Sequence, residues 1–484
     1  MALARKIFKS SVIITSGEIV AQVCSLLRNV ILARVLTKAD FGVAAILGMT
    51  ISIFEIGGRL SIENCLVQSK DGDKPRFMAA AHALQAMLGL VSCLLIFATA
   101  YPMAAYFKAP EAAWALQLLS VVPLIRSLAH LDLYRMTREL RFGPGVLSDI
   151  VPQLIITLAV WPLTLIWKSY VVLVWLLVGK QLASTIASHF LAKRPYQWAY
   201  DREINASLLH FGWPMLINGL LLFGIMQGDR FAIGIKYTVA ELGVYAVAGS
   251  LTLVPAATLL KLSGSISLPL LSSAKDDEPL FIRMQATTSQ VLALFSAIYA
   301  VVMILSGGPL VRLVFGAKYG DAAALTAWLG FSQALRLLRC MPTVAAMAKG
   351  DSKNLMYSNL FRLSGLALAF PLAMAGVSLV TIASCSAVGE LVAMIGSFWR
   401  FSRNHRIPAN TFLPAFSLAA VFIGLSAGLF LLGLPNLTMW IPLLVTTLLV
   451  VAIVVAYLAL FGESRRLMLS KLAPKIPFLL RFAG

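Results

Sequence analysis

Seven basic residues lie inside long apolar stretches of the sequence, where a charged side chain is unusual. They are Arg28, Arg59, Arg126, Lys180, Arg336, Arg339 and Arg362. Guanidinium and ammonium groups bind phosphate and carboxylate, and arginine does so as a planar fork. Arg336 and Arg339 are three residues apart, so both face the same side of a helix. The set predicts a cationic cavity that binds an anionic substrate, and the alternative is a buried network of structural ion pairs.

Carboxylates in the same stretches could neutralise these charges or carry protons. Glu55, Arg59 and Glu63 are spaced by four residues and form a ladder on one helix face, so a structural ion pair explains Arg59 as well as a ligand role does. The candidates for coupling transport to a proton or ion are Glu18, Glu55, Asp149 and Glu390. The five cysteines show no CxxC spacing, and no metal site or cofactor is expected.

The elements that carry these charges must be membrane-spanning helices. Hydrophobic residues make up 59% of the chain and charged residues 13%, whereas soluble domains have about 25% charged residues. Such a surface can face lipid but cannot cover a soluble protein. Each charge at the centre of a bilayer costs about 3 kcal/mol, so the buried charges must face a water-filled cavity, acidic partners or both.

Fourteen segments are long and apolar enough for membrane helices, which need about 20 residues. They are 12–36, 41–66, 78–101, 112–134, 145–166, 169–191, 206–228, 242–264, 288–312, 322–346, 354–377, 378–399, 411–433 and 438–461. Most lysines and arginines between the spans fall in the two tails and in alternate loops, and the opposite loops carry Lys38, Lys108, Lys168, Lys236 and Lys318. By the positive-inside rule, both termini are cytoplasmic. Because the net charge of +19 lies within spans or at the inner surface, nucleic acid is not an expected partner.

The two halves of the chain contain similar segments in the same order. Arg28-Asn-Val-Ile-Leu-Ala-Arg34 and the following Ala39–Val43 correspond to Arg230-Phe-Ala-Ile-Gly-Ile-Lys236 and Ala240–Val244, and further matches keep an offset near 201 to 211 residues. An even number of helices per repeat predicts parallel repeats. We expect one lobe of helices 1–6 over residues 1–196, a second of helices 7–12 over 197–404, and two extra helices with a basic tail over 405–484.

The stretch from Arg28 to Val43 resembles the start of the oligosaccharide-lipid flippases of polysaccharide biosynthesis, as do Gly228-Asp-Arg-Phe-Ala-Ile-Gly234 and Leu242-Gly-Val-Tyr-Ala-Val-Ala-Gly249. These flippases belong to the multidrug/oligosaccharidyl-lipid/polysaccharide exporter superfamily. The resemblance implies two six-helix lobes in a V, as in the multidrug exporters, with two C-terminal helices. It also implies that undecaprenyl-pyrophosphate-linked oligosaccharide moves from the cytoplasmic to the periplasmic leaflet of a bacterial inner membrane, for exopolysaccharide or O-antigen-type lipopolysaccharide synthesis.

The predicted function is therefore a transporter and not an enzyme. Its lobes would rock around the cavity, and its partners would be the lipid-linked oligosaccharide, membrane lipids and the polysaccharide polymerase or export machinery. One alternative is an exporter of small molecules or drugs in the same fold. Another is a membrane-embedded glycosyltransferase, which would need an acidic catalytic residue in a large non-cytoplasmic loop, and the predicted loops on that side are short.

Overall fold

The computed structural model describes residues 2–59, 62–437 and 440–461, without the side chains of residues 2–13, 57–59, 409 and 436. The side chain of Arg59, those of Arg5, Lys6 and Lys9, and the basic tail beyond residue 461 therefore lie outside the described residues. Over the described ranges the chain is α-helical with short 3-10 turns and has no strand, which confirms the predicted all-α class. The chain divides into two compact units, Met1–Val247 and Ala248–Gly484.

In the described ranges, the first unit contains ten α-helices and the start of an eleventh. They are α1 (Ala2–Val35), α2 (Lys38–Arg59), α3 (Ile62–Gln68), α4 (Pro75–Tyr106), α5 (Ala113–Leu119), α6 (Val121–Ser127), α7 (Asp132–Arg138), α8 (Gly143–Ile166), α9 (Val171–Leu191), α10 (Arg202–Lys236) and the beginning of α11 (Val239–Ser273). In this unit α1 packs on α8, α4 packs on α5 and α6, and α9 packs on α6 and α8. These contacts surround the cavity described below.

The second unit continues α11 and adds seven helices among the described residues. They are α12 (Glu278–Leu305), α13 (Gly307–Phe315), α14 (Ala323–Ala348), α15 (Lys353–Met374), α16 (Leu379–His405), α17 (Leu413–Leu431) and α18 (Trp440–Leu460). Helix α16 packs on α14 and α15, and α12 packs on α14, α17 and α18. Between α15 and α16 the chain turns at Gly376, whose φ of 77° favours glycine, so the short connection predicted there is confirmed.

Every predicted span overlaps at least one helix, and ten of the described helices are long and apolar enough to cross a membrane. These are α2, α4, α8 to α12 and α16 to α18. The bent pair 110–127 and 132–138 would make an eleventh. The other predicted spans coincide with α1, α14 and α15, whose apolar stretches are interrupted by arginines. The chain is thus a multi-pass membrane protein.

The fourth predicted span differs from expectation because it is broken, with a bend of 49° before α7. Buried His130 lies in the break. Its Nδ1 accepts a hydrogen bond from the Asp132 backbone N–H at 3.1 Å, so its Nε2–H donates to the Arg194 carbonyl at 2.9 Å. The break therefore gives the imidazole a position from which it holds the segment after α9.

A second histidine holds the same segment, which connects α9 to α10. His82 of α4 accepts from the Leu131 backbone N–H at Nε2, at 3.1 Å, and its Nδ1 lies 3.2 Å from the Gln197 carbonyl. The Lys193 N–H donates to Asp132 Oδ2 at 2.9 Å. Residues 193–197 are therefore fixed to α4 and to the broken span by side chains that satisfy backbone groups.

Helices α2 and α11 begin with the same capping arrangement, which gives the sequence repeat a structural form. Thr37 Oγ1 accepts from the Asp40 N–H at 3.0 Å, and Thr238 Oγ1 accepts from the Glu241 N–H at 3.2 Å. Each acidic side chain in turn accepts from the N–H of its threonine, at 3.3 and 2.9 Å. Both threonines thus close a capping box at matching positions of the repeat.

The two capped ends also contact each other through glycines. A Cβ on Gly42 would lie 1.8 Å from the carbonyl oxygen of Val239, and a Cβ on Gly243 would lie 2.1 Å from that of Lys38. Distances this short require the backbones to separate. Glycine at these repeat-related positions therefore allows α2 and α11 to meet backbone to backbone.

We predict that Gly42→Ala lowers the free energy of unfolding, because the added methyl overpacks the contact, at a cost of about 1–3 kcal/mol. Gly48 is the matched control in the same helix, since a Cβ there meets nothing within 4 Å. Thermal unfolding of the purified variants measures both. A melting temperature for Gly42→Ala equal to that for Gly48→Ala would contradict the close contact.

Candidate functional site

The first unit contains a cavity of about 370 Å³ lined by charged side chains. Arg126 and Lys180 contribute cations, and Glu55, Glu63 and Asp149 contribute carboxylates. The volume is within the 300–1,000 Å³ usual for ligand pockets. The structure thus brings together four of the residues predicted for substrate binding or coupling, namely Glu55, Arg126, Asp149 and Lys180.

Arg126 is neutralised within this cavity. Its Nη1 donates to Glu55 Oε1 at 3.0 Å, and the two side chains are 35% and 22% exposed. The pair joins α6 to α2, and its partial exposure leaves it in contact with the cavity. Arg126 therefore fits the structural alternative, an ion pair, while keeping donors that could turn towards a ligand.

Lys180 differs from Arg126 because, among the described residues, its ammonium makes no ion pair or hydrogen bond. It lies midway along α9, and its electrostatic neighbours are Arg28, Arg126, Asp149 and Glu55. Arg28 is itself partly buried in α1, where its Nη2 donates to Ser25 Oγ at 3.4 Å. Lys180 is thus a cation in a polar cavity, with no side chain of the described ranges paired to it.

Neutral polar groups complete the lining, and the sequence-based prediction did not include them. Gln85 of α4 donates to the Ser127 carbonyl at 3.1 Å, Gln181 of α9 to Thr185 Oγ1 at 3.4 Å, and Ser184 to the Ser148 carbonyl at 3.1 Å. In the sequence, these residues could have been identified as candidates because they are polar side chains inside apolar spans. The predicted cavity of mainly cationic lining is therefore better described, in this unit, as a cavity of mixed charge with amide and hydroxyl groups.

The second unit holds a separate cluster in which several arginines share one carboxylate. Arg339 Nε donates to Glu390 Oε2 at 3.0 Å, and Arg362 Nε donates to Glu390 Oε1 at 2.7 Å. All three side chains are buried, with exposures of 8% or less. Arg339 Nη1 also donates to Ser358 Oγ at 2.6 Å. Glu390 therefore ties α14, α15 and α16 together through charge-assisted hydrogen bonds.

Arg336 belongs to the same cluster but has no such partner. It precedes Arg339 by one helical turn, is partly exposed, and makes no ion pair or hydrogen bond with any side chain that the structure describes. Its electrostatic neighbours are Glu390, Arg339 and Cys340. Three guanidinium groups thus surround one carboxylate, and the cluster keeps a net positive charge.

The remaining predicted site residue in the described part of the chain is Glu18. It lies in α1, partly exposed, one turn after Ile14, which lines the cavity of the first unit. Glu390, predicted as a protonation site, is held between two guanidinium groups. Both carboxylate oxygens are thus engaged by guanidinium groups, and this geometry favours a structural role for Glu390.

Comparisons with known proteins identify the family and the fold. The sequence model of the family described as "Polysaccharide biosynthesis protein" matches residues 31–324, which is more than half of the chain. A comparison with curated protein sequences gave no match. The family match agrees with the resemblance noted from the residues around Arg28 and Asp229.

Solved structures of membrane transporters share the fold. A lipid II flippase MurJ in an inward closed conformation aligns with a TM-score of 0.72 at 13% identity, covering 92% of this chain and 98% of that one. An inward-facing multidrug resistance MATE transporter of the MOP superfamily aligns with a TM-score of 0.65 at 13% identity, covering 80% and 96%. A point mutant of the Vibrio cholerae MATE transporter VcmN gives 0.55 at 14% identity, covering 85% and 99%. At these identities the likeness establishes the fold, which agrees with the prediction of a transporter rather than an enzyme.

We predict that Glu390→Gln strongly destabilises the protein, because it leaves Arg339 and Arg362 buried without a counter-charge. Removing one partner of a buried ion pair costs about 3–5 kcal/mol. The matched control is Glu139→Gln, since Glu139 is 46% exposed and pairs with Arg135 at the surface, where such pairs contribute about 1 kcal/mol or less. Thermal unfolding of the purified variants compares them, and equal losses would show that the Glu390 cluster does not depend on charge compensation.

Proposed function

The chain belongs to the family of polysaccharide biosynthesis proteins, and from that premise we propose that it is a flippase for polyprenyl-pyrophosphate-linked oligosaccharide. It moves this lipid from the cytoplasmic to the periplasmic leaflet of a bacterial inner membrane, with both termini in the cytoplasm. The glycan is destined for exopolysaccharide or O-antigen-type polysaccharide, and a polymerase or export complex receives it.

The observation that carries this proposal is the excess of guanidinium groups in the second unit. Glu390 compensates Arg339 and Arg362, and Arg336 is left without an ion pair among the described side chains. A charge retained within membrane helices costs free energy unless an oppositely charged group meets it during function. Pyrophosphate supplies several anionic oxygens and matches the donor geometry of arginine.

Lys180 provides the corresponding cation in the first unit. Its ammonium lines the mixed-charge cavity without an ion pair in the described structure, and Gln85, Gln181 and Ser184 around the same cavity suit the hydroxyl groups of a sugar. The substrate-binding role predicted for seven basic residues is thus proposed mainly for Lys180 and Arg336. Arg28 and Arg126 support Lys180, while Arg339 and Arg362 position the cluster around Arg336, and the role of Arg59 stays a prediction.

In the proposed mechanism two repeated lobes, residues 1–196 and 197–404, alternate access to the two sides of the membrane. The repeat-related helices α2 and α11 begin on the side opposite the basic loops, and there Gly42 and Gly243 allow backbone contact. This contact closes the periplasmic side when the cavity faces the cytoplasm. Glu18, Glu55 and Asp149 are the proposed sites for coupling to a proton or ion.

The second candidate function is export of small molecules or drugs, which the shared fold with multidrug transporters favours. Three carboxylates line the cavity of the first unit, and they could bind a cation instead of an anion. The experiment that tests the flippase proposal therefore includes a cationic substrate as well as a lipid-linked sugar.

We predict that Lys180→Ala and Arg336→Ala each slow the translocation of polyprenyl-pyrophosphate-linked oligosaccharide in proteoliposomes by about tenfold or more. Each substitution removes a charge-assisted contact of about 1.5–3 kcal/mol with the pyrophosphate. Lys353→Ala is the control, because Lys353 is exposed at the start of α15. Lectin binding reports the sugar that reaches the opposite leaflet.

The outcome that would overturn the flippase proposal is an unchanged rate for both variants after normal membrane insertion. Transport of a cationic drug by the wild-type protein, without transport of the lipid-linked sugar, would support the exporter instead.

A further inference from the structure

A pocket of about 340 Å³ lies at the end of α16 in the second unit, beginning eight residues after Glu390 in the same helix. Phe398, Trp399, Ser402, Arg403 and Phe412 line it. Phe398 and Phe412 form its apolar wall, with their ring centroids 4.8 Å apart in an edge-to-face contact. Ser402 Oγ donates to the Ile407 carbonyl at 2.7 Å and so fixes the turn that leads towards α17. The pocket is therefore a built feature of the turn between the two helices.

Arg403 lies at the rim of this pocket and forms no ion pair within the described part of the chain. Its guanidinium carbon lies 5.4 Å from the ring centroid of Trp399, one helical turn earlier, and this cation–π contact is its one interaction with a described side chain. Trp399 is 60% exposed, so the guanidinium stacks on an indole ring that is not covered by other parts of the described structure. Stacking occupies one face of the group and leaves the N–H edges available to an acceptor.

The neighbouring basic residues differ because they have partners. Arg400 lies 3.4 Å from Asp351 and stacks on Tyr357 with 4.5 Å to the ring centroid. His405 lies 3.4 Å from the same carboxylate. Burial raises the pKa of Asp351, but Arg400 and His405 outweigh it and hold the pKa below the usual range, so this carboxylate is ionised and already engaged.

The sequence offers no other carboxylate for Arg403 nearby. Neither Asp nor Glu occurs from Leu391 to Gly462, while Arg400, Arg403 and Arg406 fall within seven residues. By the positive-inside rule this end of α16 lies at the cytoplasmic surface, where the leaflet carries anionic lipid. An exposed cation above an apolar, aromatic-walled pocket at that level matches an anionic head group joined to an acyl chain.

We propose that this pocket binds an anionic phospholipid of the cytoplasmic leaflet, with its phosphate on Arg403 and its upper acyl chain against Phe398 and Phe412. The phosphate accepts hydrogen bonds from the free N–H edges of the guanidinium. Trp399 holds the guanidinium over the pocket and lies at the depth where aromatic rings favour the membrane interface. The site is independent of the translocated substrate, since none of its residues lines the cavity of the first unit or joins the Glu390 cluster.

The test is native mass spectrometry of the purified full-length protein, titrated with phosphatidylglycerol or with phosphatidylcholine of the same acyl chains. We expect phosphatidylglycerol to bind in preference, and Arg403→Gln to weaken this binding by about tenfold, as the loss of a charge-assisted hydrogen bond does. Arg406→Gln is the matched control, because it removes the same charge three residues later from an exposed side chain outside the pocket. Trp399→Ala should weaken lipid binding as well, since the Arg403 guanidinium loses the ring on which it stacks.

Three results would overturn the site. Equal binding of the two lipids would show that the charge of the head group does not contribute to binding. Equal losses for Arg403→Gln and Arg406→Gln would show attraction to the general positive surface instead of a pocket. Displacement of phosphatidylglycerol by millimolar inorganic phosphate would show that the acyl chain contributes nothing. If Arg403→Gln fails to fold, the comparison of Trp399→Ala with Arg406→Gln decides by the same readout.

Discussion

The cost of a charge inside a membrane determines how this protein is arranged. Each arginine or lysine in a spanning helix must meet a carboxylate, a water-filled cavity or a ligand. Arg126 meets Glu55, and Arg339 with Arg362 meets Glu390. These pairs join α6 to α2, which are separated in sequence by three other helices, and join the consecutive helices α14, α15 and α16 to one another. Compensation of charge therefore also fixes which helices are neighbours within each unit.

The helical fold could be predicted because hydrophobic length is a property of each segment alone. Each predicted span overlaps at least one helix, and the connection at Gly376 lies at the boundary between the predicted spans 354–377 and 378–399. The break at His130 could not be predicted, because a 20-residue apolar window contains no signal for a bend. The bend exists because His130 and Asp132 satisfy backbone groups of residues 193 and 194, which are about sixty positions away.

The candidate site was predicted less completely, since residue type and depth do not identify partners. Arg126 and Arg336 are 210 positions apart, which is within the offset of the repeat, yet Arg126 pairs with a carboxylate and Arg336 pairs with none among the described side chains. The repeat is retained in the capping boxes of Thr37 and Thr238, each of which depends only on the threonine and an acidic residue three positions later. Local chemistry is thus shared between the halves, while contacts between helices have diverged.

The sharing of Glu390 by two guanidinium groups has a consequence for how the sequence can vary. Loss of the carboxylate alone strands two cations, and loss of one arginine alone leaves the other arginine and the glutamate as a neutral pair. Substitution at position 390 is therefore tolerated only together with changes at 339 and 362, whereas either arginine can be substituted on its own. In related chains, loss of the glutamate at position 390 should therefore accompany changes at both 339 and 362, whereas one arginine can be absent while the glutamate remains. A glutamate at this position is thus the residue by which the same arrangement can be recognised.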